Sequence, residues 1–163
     1  PQIARLSVDS AEDTDSTNIS TPKKIKHRTK SLPHVEHNLT KLLGKLKDGS
    51  ISQFKGSKKK MKGFFSNKSG RRSKYIGVSK NNYNWQVLIN IGNKKNYIGT
   101  YPTQKEAAIA YDFYSIALHG ERAKINFNYS KELAIDMITN YLGSSDSKES
   151  EKVFEPCEFL NRV

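Results

Sequence analysis

Apolar positions change their spacing three times along this chain, and each spacing predicts a different element. From Val35, the residues Val35, Leu39, Leu42, Leu43 and Leu46 recur at helical intervals on one face, which predicts a short amphipathic helix over 35–48 with Gly49 beyond its end. Lys41, Lys45 and Lys47 decorate that helix, and its apolar face is expected to pack back on the folded domain. Between residues 75 and 101 the period becomes two. Tyr75–Lys80, Trp85–Ile91 and Lys95–Tyr101 are rich in β-branched and aromatic residues. Asn81-Asn82-Tyr83-Asn84 and Gly92-Asn93-Lys94 separate them with turn residues. Two short loops joining three such runs predict an antiparallel meander. Strand alternation puts Trp85, Val87, Ile89 and Ile91 on the core face, with Trp85 as the expected anchor, and Gln86, Leu88 and Asn90 on the other. Aligning Ile98 with the core sets Lys95 and Tyr97 beside Leu88 and Asn90.

A longer helix follows. Thr103 and Glu106 have the spacing of a capping box, and Gly120 stands where the helix would end. Its expected buried stripe is Ala107, Ala110, Tyr111, Tyr114 and Leu118, with Ala108 and Ala117 at the margins. Beyond Ile125-Asn126-Phe127, Ser130 can cap a further helix whose stripe is Leu133, Met137, Ile138 and Tyr141. The fold class is therefore α+β: a three-stranded antiparallel β-sheet packed on one α-helix, with a further C-terminal helix and a basic, largely disordered N-terminal arm. The expected segments are 1–34, disordered and basic from 21; 35–48, the amphipathic helix; 49–72, a basic Gly/Ser/Lys linker; 73–128, the folded domain, able to fold alone; 129–142, the C-terminal helix; and 143–163, an acidic disordered tail.

Charge adds a direction to this picture. The chain has 163 residues and a net charge of +12, and residues 21–74 alone hold 17 Lys and Arg against two acids. Lys58, Lys59, Lys60 and Lys62, followed by Arg71, Arg72 and Lys74, have no acid among them. Such a run repels itself and favours a polyanion, because each cation that neutralises a phosphate releases a condensed counterion. A solvated tail or a nuclear import signal would use the same residues. Phe64-Phe65 interrupts the arm and is expected to anchor it on the domain, with base stacking as the alternative.

Several classes of function are excluded. No apolar run is long enough to span a membrane. The single Cys157 can form no internal disulfide, and four scattered histidines offer no zinc-ligand set, so no metal and no cofactor are expected. No Gly-rich phosphate loop or nucleophile, base and acid arrangement occurs. His34-Val35-Glu36-His37 is the only local histidine cluster and lacks a second half, so no enzyme and no small-molecule substrate are expected. His119 is assigned to the helix end, where its charged form would suit the dipole. The chain opens on Pro1 without a methionine, and its localisation is argued from chemistry only.

Tyr75-Ile76-Gly77-Val78, Trp85, Tyr97-Ile98-Gly99-Thr100-Tyr101, Glu106-Ala107-Ala108, Ala110-Tyr111-Asp112, His119-Gly120 and Ala123-Lys124-Ile125-Asn126-Phe127 occur in an order that carries a resemblance. Residues 73–128 resemble the plant Apetala and ethylene-response-factor DNA-binding domain. The resemblance implies a three-stranded sheet, backed by one helix, that enters the DNA major groove. Carried over position by position, it implies a base-reading face of Ile76, Ser79, Asn81, Tyr83, Leu88, Asn90, Lys95 and Tyr97. Most of the family's arginines are replaced there, which removes the guanine contacts and implies an A/T-leaning site. Phosphate contacts fall to Lys58, Lys59, Lys60, Lys62, Arg71, Arg72, Lys74, Lys80 and Lys94. The expected function is a sequence-specific DNA-binding protein, a transcription regulator of the nucleus whose partner is double-stranded DNA. The alternative is a structural RNA-binding protein, such as a subunit of a mitochondrial or other organellar ribosome, contacting ribosomal RNA and ribosomal proteins.

Overall fold

Helix α1 (Val35–Lys47) buries Val35, Leu39, Leu42 and Leu46 and turns its lysines outward, as its spacing predicts. The computed structural model in which it is seen describes residues 32, 34–57, 70, 72–144 and 152–163. Lys58, Lys59, Lys60, Lys62, Arg71, the pair Phe64-Phe65 and the first 31 residues lie outside the described residues. Glu36 in the first turn of α1, and Lys45 and Lys47 in the last, suit the helix dipole. Gly44 stands on the exposed side, and a methyl group there would meet no atom within 4 Å. Gly44→Ala is therefore expected to raise stability by about 1 kcal/mol, read from urea melts of the whole chain.

The expected linker begins as part of the fold. Ile51 and Phe54 are buried, and strand β1 (Gln53–Phe54) pairs antiparallel with β5 (Tyr129–Ser130), Phe54 lying opposite Tyr129. Ser57 N–H then donates to the Ile125 carbonyl at 2.6 Å. Two apolar anchors decide the outcome here over the surrounding Gly, Ser and Lys.

Strands β2 (Val78–Asn81), β3 (Asn84–Ile91) and β4 (Lys94–Tyr101) form the expected antiparallel meander in the order β2–β3–β4. β2 starts later than expected because Gly77, at φ +74°, turns the chain just before it. Val78, Val87, Ile89, Ile98 and Tyr101 are buried on the inner face. Trp85 is only half-buried at the margin, with the Lys80 ammonium 5.9 Å from its ring centre, so it is not the anchor of the core. A bulge at Ile98 shifts the register: Val87 faces Gly99, whereas Leu88 faces Tyr97.

Helix α2 (Gln104–His119) opens with the predicted capping box, Glu106 N–H donating to Thr103 Oγ1 at 3.2 Å and Thr103 N–H to Glu106 Oε2 at 3.0 Å. It is not a one-sided lid. Every residue from Ala107 to Ala117 is buried, because α1, helix α3 (Lys131–Gly143) and the short 3-10 turn Pro156–Phe159 add a layer on the side away from the sheet. Phe113 stacks on Phe154 with ring centres 3.9 Å apart and also meets Tyr141 at 5.1 Å. The acidic tail is thus corrected over residues 152–163. Phe154, Pro156 and Phe159 are buried, and Lys152 reaches Glu36 at 3.2 Å. Cutting this layer away from 73–128 would uncover Phe113 and its helical neighbours Ile109 and Ile116, a cost that independent folding of that segment would have to meet.

Candidate nucleic-acid interface

The outer face of β2–β3–β4 is built of four cross-strand rows. At one end Asn81 lies opposite Asn84; next come Ser79, Gln86 and Thr100; then Leu88 and Tyr97; and last Asn90 and Lys95. Two hydrogen bonds fix the second row and tie it to the third. Gln86 Nε2 donates to Ser79 Oγ at 3.0 Å, and the Tyr97 hydroxyl bonds the Thr100 hydroxyl. Asn90 and Lys95 are exposed, and Leu88 and Tyr97 are half-buried between neighbours. The last two rows present an amide, an ammonium and a phenol beside one aliphatic side chain, and there is no guanidinium on the three strands.

Six of the eight expected base-reading residues, Ser79, Asn81, Leu88, Asn90, Lys95 and Tyr97, share this face. The other two stand elsewhere. Ile76 lies in the turn ahead of β2, half-buried against the core. Tyr83 sits at the tip of the β2–β3 loop, 95% exposed. Gln86 and Thr100 belong to the face although they are not among the expected base-reading residues. Of the expected phosphate contacts, Lys80 and Lys94 flank the sheet in solvent. Arg72 and Lys74 are exposed beside β2, where Arg72 bridges to Ser79 through the backbone. His34 precedes α1, and His37 is exposed on it.

Beneath the face, a buried polar cluster ties the start of β2 to α2. Asp112 is fully buried. Its Oδ1 accepts from Asn126 N–H at 2.7 Å and Asn126 Nδ2 at 2.9 Å. Its Oδ2 accepts from Phe127 N–H at 3.0 Å and the Tyr129 hydroxyl at 2.9 Å. Asn126 in turn clamps the Ile76 backbone, Oδ1 accepting from Ile76 N–H at 2.6 Å and Nδ2 donating to the Ile76 carbonyl at 3.3 Å. Burial pushes the Asp112 carboxyl up to about 7 against the pull of these donors. Burial, with Asp112 beside it, also pushes the Tyr129 phenol well above its ordinary value, so it remains a donor. A single carboxylate within the buried run Ala107–Ala117 of α2 is the signal from which this cluster can be read.

The outer sheet face, the helix packed behind it and the carboxylate–amide clamp between them belong to a segment of this chain that is similar to transcription factors of the Apetala and ethylene-response-factor type. Comparison with known proteins supplies the relatives. An AP2-like ethylene-responsive transcription factor of Arabidopsis thaliana is 42% identical over 79 residues, covering 46% of this chain and 23% of the relative. A second ethylene-responsive transcription factor of that plant is 47% identical over 62 residues, covering 36% of this chain and 14% of the relative. A third is 39% identical over 71 residues, covering 41% and 39% respectively. This chain thus spans well under half the length of the relatives it matches. No protein-family profile matches it.

Proposed function

We propose that this chain is a sequence-specific DNA-binding protein that regulates transcription in the nucleus, without enzymatic activity. The observation that carries the reading is the pairing of Asn90 with Lys95 and of Leu88 with Tyr97 on one outward face of a three-stranded sheet. A major groove about 12 Å wide admits such a sheet, and its outward side chains then reach base edges. Asn90 has the amide that pairs bidentately with adenine, and Leu88 can meet thymine methyl groups. Without an arginine on the strands, the commonest guanine contact is missing, so the site leans to A/T. Lys80 and Lys94 hold phosphates at the sheet edges, Arg72 and Lys74 do so beside β2, and Lys58, Lys59, Lys60, Lys62 and Arg71 add affinity that is independent of sequence. The resemblance of residues 73–128 to domains of transcription factors supports DNA over ribosomal RNA.

Selection from random DNA duplexes with the 163-residue chain tests this. A short A/T-leaning motif is expected. Asn90→Ala should lose about 1 to 3 kcal/mol of discrimination at one base pair while binding to unrelated duplexes stays the same. Recovery of no motif, or a motif that Asn90→Ala leaves unchanged, would reject the sheet as the reading element.

A further inference from the structure

A second basic feature lies away from the reading face, where α1 meets the end of α2. A cleft of about 590 Å³ opens there, with Leu42 and Leu118 in its floor and Lys41, Lys45, His119 and Arg122 around it. Its volume falls within the roughly 300 to 1,000 Å³ of clefts that hold small organic ligands, enough for a few side chains. Among the described residues the only acid in the lining is Glu121, which Lys45 already holds at 2.9 Å. Lys41 and Arg122 are exposed and, among the described residues, pair with no carboxylate. The negative end of α2 is covered: Gly120 N–H caps the Ile116 carbonyl, and Asn38 Nδ2 donates to the Ala117 carbonyl at 3.0 Å. What the cleft offers a partner is therefore an apolar floor inside a cationic rim.

We infer that this cleft docks an acidic amphipathic peptide segment of a partner protein, one that buries leucine-like anchors on Leu42 and Leu118 and sets carboxylates against Lys41 and Arg122. The mode is a helix in a groove, in which spaced apolar anchors supply affinity and the charges steer and orient. Nucleic acid fits this cleft less well. Among the described residues its lining has no Phe, Tyr or Trp on which a base would stack, only the His119 imidazole, and Glu121 at the rim opposes a phosphate. The inference does not depend on the DNA reading, because none of the cleft residues belongs to the sheet face.

The experiment uses the full chain, labelled with ¹⁵N, and a fluorescent peptide of about twelve residues with four glutamates and two leucines one helical turn apart. Amide shifts should concentrate at Lys41, Leu42, Leu118 and Arg122. Lys41→Glu combined with Arg122→Glu should weaken the peptide about tenfold or more, and replacing its leucines by serine should do the same at unchanged charge. Both substituted residues are exposed, so the fold should persist, and melting curves check this. The charge reversal should leave affinity for the selected DNA motif unchanged. The inference is overturned if the peptide shifts no cleft amide, if the serine peptide binds as well as the leucine one, or if DNA displaces the peptide and the reversal weakens both equally. That last outcome would make the cleft a phosphate surface. Failure of the DNA selection alone would leave the peptide result standing.

Discussion

Gly77→Ala is expected to destabilise the chain by about 3 kcal/mol or more, the sum of two separate costs. Gly77 sits at φ +74°, where a side chain is strained by about 1 to 2 kcal/mol. A methyl group there would also fall inside the Tyr111 ring, overlapping Cδ2 and Cε2. Tyr111 is a buried residue of α2 held between the sheet and its neighbours, so the ring cannot swing aside without opening the core. Gly92 supplies the control. It has φ +60° but nothing within 4 Å of a methyl group, so Gly92→Ala should show only the backbone cost. Urea denaturation of both variants measures the difference, and equal losses would show that the approach of Gly77 to Tyr111 is not a packing constraint. Because the Gly77 carbonyl accepts from Leu88 N–H at 2.9 Å, a displaced Gly77 should also disturb the third row of the reading face.

The meander, its pairing and both long helices after it could be read from the sequence because each depends on a local period. One buried anchor, Ile98, is enough to set Lys95 and Tyr97 beside Leu88 and Asn90, and the structure resolves the pairs as Tyr97 with Leu88 and Lys95 with Asn90. The same period fails beyond the bulge. Strict alternation would turn Tyr101 outward with Tyr97, but the extra residue at Ile98 reverses the parity, so Thr100 joins the outer face and Tyr101 is buried. Gly99 in mid-strand is the cue to such a bulge, and it is a weak one. The third layer was legible only in part: the helices over 35–48 and 129–142 follow from their spacing, but Phe154 lies in a segment that reads as acidic tail. Phe113, Ile109 and Ile116 lie off the stripe facing the sheet, and their burial depends on partners about 40 residues or more along the chain, Phe154 and α1. Composition describes such segments by their majority, whereas burial is decided by two or three apolar side chains.

Removing the Asp112 carboxyl should cost about as much as the Gly77 lesion, because it leaves buried donors without acceptors. Asp112→Ala orphans the Phe127 N–H, the Asn126 N–H and the Tyr129 hydroxyl, and at about 1 to 3 kcal/mol for each such group, with some relaxation, a loss of about 3 to 5 kcal/mol is expected. Asp112→Asn should cost less. Its carbonyl can still serve Asn126, and the Tyr129 hydroxyl can reverse to accept, but the new NH₂ faces the Phe127 N–H donor to donor. The pH dependence separates the carboxyl from its shape. With its folded value raised to about 7 from an ordinary 3.8, the native state holds a proton that the unfolded chain gives up between those values. This group's contribution is therefore fully present below pH 4 and is lost as the pH rises through 7. Stability of the parent chain should fall over that window relative to Asp112→Asn, which has no proton to lose. Parallel profiles from pH 4 to 8 would mean that the four donors keep Asp112 ionised in the folded chain. Since Asn126 links the same carboxyl to Ile76 at the entry to β2, loss of the clamp should also loosen the start of the sheet, visible as faster amide exchange at Ile76 and Leu88 in Asp112→Ala than in Asp112→Asn.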